Sequence, residues 1–518
     1  MEKKHRMLKR NLKKFANKLP LPWQKRTYLI WHYLNKPISL PKGSIKTDSL
    51  DLNEAEKRIK IVGFLKIRNE VQTGHLERVL KQMKDICSDI VVCDCGSTDG
   101  SKEFAQKYTK HVLSAENDFK NEIKAKAEML DYTLGLNPDW ILWLDADEVF
   151  ERNAEIGAIR KLCALGEQRG IDGFEFPEMN LWKDTRHYRI DEFWNKGSYV
   201  RLWKNNGKLS FPKEGGLHKK QHPDGLDKIE KSDLAVIHYG FSSPELIQQK
   251  YDFYKEQGQE GFALDRIQLN DSSARVKEMD IDRIPFSALK VVVVGMIYQS
   301  TGYAQFVYDS FKKYQEDEEF IFVANDATDK VKDYLRENDI PHLIFENEDK
   351  DEYYLNRVYR AWNYGGMNAS GDIIIFVNSD MAFSKGWVKN LLKNLNKKRI
   401  VCSRLVESGK MPSGEYGISK NFGQSYKEYN AEEFEAYVEK IKKPELKEGG
   451  LFMPCMIYKD IFVKSGGYPI GNRKEADGKE TSGDHIFFYE NLEAKMGVKH
   501  FTAFDSIIYH VQEGEMDE

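Results

Sequence analysis

Two long stretches of this chain alternate short apolar runs with segments whose apolar residues recur at helical spacing. In the first, Ile61 to Ile67 reads as a strand, and Leu76, Val79, Leu80, Met83 and Cys87 follow on one helix face. Ile90 to Cys93 is a second strand. His111 to Leu113, followed by a helix through Lys124, Lys126 and Met129, makes a third pair. Trp140 to Leu144 is then wholly apolar, the pattern of a strand covered on both faces of a parallel sheet. Strand–helix alternation of this kind predicts a doubly wound α/β sheet.

From Lys290 the order repeats. Lys290 to Met296 opens a new strand run, and Phe320 to Val323 leads into Asn325-Asp326-Ala327-Thr328-Asp329. His342 to Phe345 is another strand. A helix containing Arg360, Ala361 and Asn363 precedes the apolar run Ile373 to Val377. The interval from Val62 to Asp147 is 85 residues, and that from Val292 to Asp380 is 88. Tandem domains are expected: a basic amphipathic segment over 1–57, a first domain over 58–261, a linker without periodicity over 262–288, and a second domain over 289–518. A chain of 518 residues suits such a division.

Each long apolar run ends in acid. Asp145-Ala146-Asp147-Glu148 follows the first, and Asn378-Ser379-Asp380 follows its repeat. Ligands of open α/β sheets bind outside the carboxyl ends of the strands, and two carboxylates there can meet a hard divalent cation and a phosphate. An acidic turn after a core strand is the plainer explanation of one such ending; the repeat argues against it. The turn Asp94-Cys95-Gly96-Ser97-Thr98-Asp99-Gly100-Ser101 offers backbone N–H groups and short side chains, as a nucleotide-binding loop requires.

Composition narrows the setting. The net charge of −3 provides no global argument for nucleic acid. Six cysteines form no CxxC pair and no zinc spacing, which fits a reducing compartment. No apolar run reaches the ~18 residues of a membrane span, and no signal peptide is expected. Residues 1–48 carry 13 Lys or Arg against Glu2 and Asp48, interleaved with Leu19, Trp23, Tyr28, Trp31 and Tyr33. That mixture suits contact with an anionic membrane surface; a solvated basic tail is the alternative. The expected location is cytoplasmic, peripheral at the inner face of the plasma membrane if the basic segment binds there.

Arg68-Asn69-Glu70, the turn Asp94 to Ser101 and Trp143-Leu144-Asp145-Ala146-Asp147-Glu148 together resemble family 2 glycosyltransferases of the GT-A fold. With Arg201 to Lys204, Leu217-His218 and Val236 to Gly240, the first copy is similar to the branch that extends lipopolysaccharide cores. The second resembles modules of bacterial polysaccharide synthases through Arg360 to Gly365, Ala369 to Asp372, Gly449 to Met453, Gly466 to Pro469, Gly483 to His485 and Tyr509 to Glu513.

The resemblance implies metal-dependent inverting transfer from a nucleotide sugar, UDP-linked by expectation, to a glycan or lipid-linked acceptor. Mn²⁺ or Mg²⁺ would be held by Asp147 and Asp380, with the late histidines His238 and His510 completing each site. Asp94, Ser97, Asp99, Asp145, Asp326 and Asn378 would contact the donor, and Lys126 and Arg360, just before the metal strand of each copy, would face its diphosphate, a solvated helix face being their alternative. Inversion needs a base for the acceptor hydroxyl. Asp484 fills that role in the second copy, where a helix N-cap is the structural alternative. In the first copy His218 or Glu214 would have to serve. Ala324 stands where the base-reading aspartate of the second copy is expected, which leaves open a one-site enzyme whose second half only binds. A nucleotidyltransferase would need a Gly-rich, Lys-containing N-terminal loop that is not evident.

Overall fold

A computed structural model of the protein describes residues 52–116, 122–155, 157–191, 194, 197–212, 222–272, 274–474, 478–512 and 514–517. The chain divides into two compact units between Ala288 and Leu289. No described helix is long and apolar enough to cross a membrane.

The first unit is built on β1 (Ile61–Ile67), β2 (Asp89–Asp94), β3 (His111–Ser114), β4 (Trp140–Asp145), β5 (Glu148–Phe150), β6 (Gly173–Asn180), β7 (Ser198–Lys204) and β8 (Val236–His238). Their order across the sheet is β3-β2-β1-β4-β7-β6-β8-β5. Strands β3, β2, β1 and β4 run parallel, as the intervening helices require. Beyond β4 the sheet becomes mixed. Residues Trp140 to Leu144 are almost wholly excluded from solvent, so the apolar run is the central buried strand that its composition demands. Helix Glu122–Leu134 covers one face through Met129 and Leu130, which share a core with Val62, Phe64, Val91, Trp143 and Trp203.

The second unit has β9 (Val291–Ile297), β10 (Glu319–Asn325), β11 (His342–Phe345), β12 (Ile373–Val377), β13 (Met381–Phe383), β14 (Arg399–Glu407), β15 (Cys455–Tyr458) and β16 (Lys499–His510). Its order is β11-β10-β9-β12-β15-β14-β16-β13. Strand for strand this repeats the first unit, with the same parallel and antiparallel neighbours. Both units have the GT-A arrangement.

Register gives a residue-level correspondence. Ile67 pairs with Asp94 and Ile297 with Ala324, so Ala324 does occupy the place of Asp94. Leu65 pairs with Leu144 and Gly295 with Val377. Asn378 therefore corresponds to Asp145, and Asp380 to Asp147.

Residues 262–288, read from sequence as a linker, belong to the first unit and carry short elements of their own. Val276–Glu278 pairs with His187–Arg189. Leu264 and Ile267 join Trp182, Trp194, Phe241 and Ile247 in a second core. Their spacing is too short and irregular to show a period, because this segment packs by a few anchors rather than by one continuous face.

Candidate functional site

In the first unit Asp147 lies just beyond β4, at the turn into β5. Its backbone carbonyl accepts from Tyr239 N, which fixes the end of β8 beside it. Asp147 Oδ2 stands 3.0 Å from His238 Nε2 and 2.8 Å from Lys250 Nζ, and Lys250 Nζ is 3.3 Å from His238 Nε2. Burial opposes the charge of Asp147, but Lys250 and then His238 outweigh it and hold the carboxyl well below its ordinary range. Burial likewise works against the Lys250 ammonium, and Asp147 overcomes it, raising the lysine. Gly240 leaves the space for this cluster: a Cβ there would fall 2.6 Å from Asp147 Oδ2 and 2.7 Å from His238 Nε2, and would collide with Lys250 Nζ.

Behind the imidazole, His238 Nδ1 is 2.7 Å from Asn180 Oδ1, and Asn180 Nδ2 donates to Glu178 at 2.8 Å. The Glu178 contact orients the amide, so its oxygen faces the ring. His238 then donates through Nδ1, and its Nε2 faces Asp147.

Asp145, one turn back, belongs to another group. Its Oδ2 accepts from Arg201 at 2.9 Å and its Oδ1 from Trp143 Nε1 at 3.1 Å. Arg201 also pairs with Glu148, and both of those side chains are 2 % exposed while Asp145 is half open to solvent. Desolvation opposes ionisation of Asp145, yet Arg201 holds it below the usual carboxylate range. Burial pushes Glu148 well above that range. The open carboxylate of this pair therefore keeps its charge. Lys126 stands over the Trp143 ring at 4.5 Å, on the Asp145 side of the strand end.

The second unit arranges the same place differently. Asp380 is buried, with Oδ1 3.3 Å from His510 Nε2 and Oδ2 accepting from Gly514 N at 3.2 Å. Its carbonyl accepts from Val511 N, as that of Asp147 does from Tyr239. His238 pairs in register with Asn180, and His510 with Glu407. The partner behind the ring is thus a carboxylate, with His510 Nδ1 3.2 Å from Glu407 Oε1. Ser413 and Gln512 bond Glu407 in turn. Burial disfavours a charged His510, but Asp380 and Glu407 overcome it and lift the imidazole to about 10.

A carboxylate and an imidazole about 3 Å apart, with a hydrogen-bonded carboxylate behind the ring, suit one divalent ion with ~2.1 Å bonds. The second unit fits such an ion. In the first unit the corresponding gap holds an ammonium group. Among the described residues no group of three or more His, Cys, Asp or Glu converges on a point, so donor oxygens and water would supply any further ligands.

Asp484, the base expected in the second copy, lies in the short helix Gly483–His485. Ser482, not Asp484, caps the short helix Gly483–His485, accepting from His485 N. The capping alternative therefore falls to its neighbour. Asp484 Oδ2 accepts from Tyr359 Oη at 2.9 Å, while Oδ1 is buried without a hydrogen-bond partner. Burial raises its pKa in spite of the tyrosine. The helix continues as a π-helix over Ile486–Ala494.

The remaining sequence candidates divide by what they touch. Asp94 is buried and accepts from Ser97 N at 3.2 Å. Ser97 Oγ accepts from Asn69 N, and Asp99 accepts from Ser101 and from Val71 N. Ser97 and Asp99 thus bind the loop after β2 to the loop after β1. Asp326, at φ 47°, bonds Asn347 and reaches Arg357 at 3.4 Å. Arg360 grips Glu352 through two bonds of 3.2 and 3.3 Å. Asn378 lies at the open end of β12. His218, Glu214 and residues 1–48 fall outside the described residues.

Lys250, Asn180 and Glu407 were not singled out from sequence. They lie 103, 33 and 27 positions from Asp147 and Asp380 respectively, with no motif around them. Glu515 is another: its carboxylate accepts from the N–H groups of Tyr298, Gln299 and Ser300, on the loop after β9.

No curated protein matches the chain by sequence. Among solved structures it is similar to TarS 1-349 of S. aureus, at 12% identity and TM-score 0.30, over 43% of this chain and 60% of that one. The same protein in complex with UDP-GlcNAc matches at 13% and 0.28, over 44% and 61%. The mannosyltransferase PcManGT of Pyrobaculum calidifontis, in complex with GDP-Man and Mn²⁺, matches at 15% and 0.29, over 52% and 66%. The chain thus spans less than two thirds of each of these relatives. The family profile described as Glycosyl transferase family 2 matches residues 70–216 and again 294–461, more than half of the sequence, with β4 inside the first match and β12 inside the second. With strand order and the acidic strand ends repeated in both units, the chain belongs to glycosyl transferase family 2 and folds as two GT-A domains.

Proposed function

We propose that the protein transfers sugars with inversion from nucleotide-sugar donors to a glycan acceptor of the cell surface, with one active site in each unit. The observation that carries this reading is the carboxylate–imidazole pair, Asp147 with His238 and Asp380 with His510, at the same register position of both sheets. Breaking the bond from the anomeric carbon to a diphosphate develops negative charge on the leaving group. A divalent cation at Asp380 and His510, Mn²⁺ or Mg²⁺, would supply Lewis-acid neutralisation there. Asp484 takes the proton of the acceptor hydroxyl; its buried, partnerless Oδ1 is the atom available for it. In the first unit Asp94 is the candidate for reading the donor base, and Asp145 with Lys126 for binding its ribose or sugar. The basic segment 1–48 would bring a lipid-linked acceptor within reach of an anionic membrane.

A one-site enzyme is the second reading. Ala324 in the place of Asp94, and Glu515 seated on the amides of residues 298–300, favour it. The deciding experiment is turnover of UDP- and GDP-sugars with Mn²⁺ or Mg²⁺ by the wild type, Asp147→Asn and Asp380→Asn. Two sites predict that each variant loses a different transfer product. Loss of all product in Asp147→Asn and of none in Asp380→Asn selects the one-site reading. No turnover of any donor by the wild type defeats both.

A further inference from the structure

We infer that Lys250 is the resident cation of the first unit: its ammonium holds the place between Asp147 and His238 that a divalent ion takes in the second, so the first unit binds its nucleotide without a metal. The inference rests on the reading of the β4 end as a diphosphate site.

Three features separate a built position from a loose surface lysine. First, the ammonium stands against both members of the pair. The chain from Glu178 through Asn180 holds the ring through Nδ1, so that Nε2 stands 3.0 Å from a carboxylate oxygen. Lys250 Nζ reaches both of these atoms, at 2.8 Å from the carboxylate oxygen and 3.3 Å from Nε2. Second, the lysine is held from behind. Its helix, Pro244–Glu256, starts at Ser243, whose side chain accepts from Leu246 N. Ile247, one turn before Lys250, is fully buried among Trp182, Trp194 and Phe241. Phe241 also lies under the ammonium, 4.8 Å from ring centre to Nζ. Third, the space is reserved by Gly240, where any side chain would strike Nζ.

The second unit lacks all three. Glu407 replaces Asn180 in register and bonds Nδ1 of His510. Among the described residues Asp380 has no lysine or arginine partner; it faces His510 and the Gly514 amide. An anionic partner behind the ring strengthens an imidazole as a metal ligand, whereas a neutral amide does so less. A divalent ion entering the first unit would stand beside a positive charge already paired to the same carboxylate.

The test is the number of Mn²⁺ ions bound by the full-length protein, read from the loss of the free-ion electron paramagnetic resonance signal, with saturating UDP and separately with GDP. One ion per wild-type chain is expected, lost in Asp380→Asn and kept in Asp147→Asn. Lys250→Met, which removes the charge but keeps the length, is expected to bind two, and Lys250→Arg one. Two ions on the wild type, or one that Asp147→Asn removes, overturns the assignment whether or not the lysine variants fold. A folded Lys250→Met that binds no more than wild type also overturns it. Failure to bind either nucleotide would instead defeat the underlying reading of the site, whereas two ions with nucleotide bound defeat only the role given to Lys250.

Discussion

Asp145, Glu148 and Arg201 form an ionisable triad at the end of β4, two members of it fully buried. The register places Asn378, Met381 and Cys455 at the same three positions of the second unit, since Leu142 pairs with Leu202 and Ile375 with Met456. The charges are absent as a set. Removing one member of a buried ionic group strands the others, while replacing the whole group by neutral side chains is close to neutral in energy. Asn378 is therefore no isolated defect in an acidic motif. It is the visible third of an exchange that the sequence motif alone presents as a lost carboxylate. The histidine sites differ in the same way: Asn180 and Lys250 stand around His238, Glu407 around His510. One fold thus carries two electrostatic solutions at the same place.

The largest effect expected concerns the base. Asp484→Asn keeps size and the Tyr359 contact but removes proton acceptance, and should slow transfer by the second unit by about 10²–10⁴-fold. Calorimetry should show nucleotide binding retained. Because burial raises the Asp484 pKa, the rate of this unit should fall as pH drops through a value above the ordinary 3.8. A second-unit rate unchanged in Asp484→Asn would remove the aspartate from the mechanism.

Next comes the triad. Arg201→Cys alone should destabilise the first unit by about 3–5 kcal/mol, because it leaves two carboxylates beside each other without their cation. Asp145→Asn, Glu148→Met and Arg201→Cys together copy the second unit and should recover most of that loss. Denaturant titration of the single and triple variants checks this. Equal losses would show that the two sets are not interchangeable.

Acid should weaken both units through one buried histidine each. Burial lowers His75 and His500 to about 4. Their folded-state values lie below the unfolded value of about 6.5, so the unfolded chain binds the proton first. Stability is complete above the unfolded value and falls as pH drops from about 6.5 toward about 4, by about 3 kcal/mol for each group. His500→Phe should flatten the acid limb of the second unit in pH-dependent melting. A limb of unchanged slope would assign the acid sensitivity to other groups.

The smallest effect separates the supports of the two imidazoles. Glu407→Asn, which copies Asn180, should weaken Mn²⁺ binding in the presence of UDP by about 10–100-fold without unfolding the unit. Affinity equal to wild type would mean that the carboxylate behind His510 does not tune it.

The sequence by itself determined the doubly wound fold, its duplication, and the two acidic strand ends. These are local properties: apolar runs such as Trp140 to Leu144 and Ile373 to Val377 are buried on both faces, and their carboxyl ends must open toward ligand. His238 and His510 were also legible, because each follows an apolar run at the same point of the repeat. What the tertiary structure decided is which charges meet at those ends. Lys250 reaches Asp147 from a helix anchored by Ile247 in a core that also recruits Leu264 and Ile267 from the presumed linker. Glu407 reaches His510 only because β14 and β16 pair in one register. Arg201 finds Asp145 across an antiparallel neighbour, and Asp99 and Arg360, donor contacts expected from the resemblance, meet Ser101 and Glu352. Periodicity carries burial along a strand or a helix, but strand pairing and helix docking set the contacts between residues far apart in the chain.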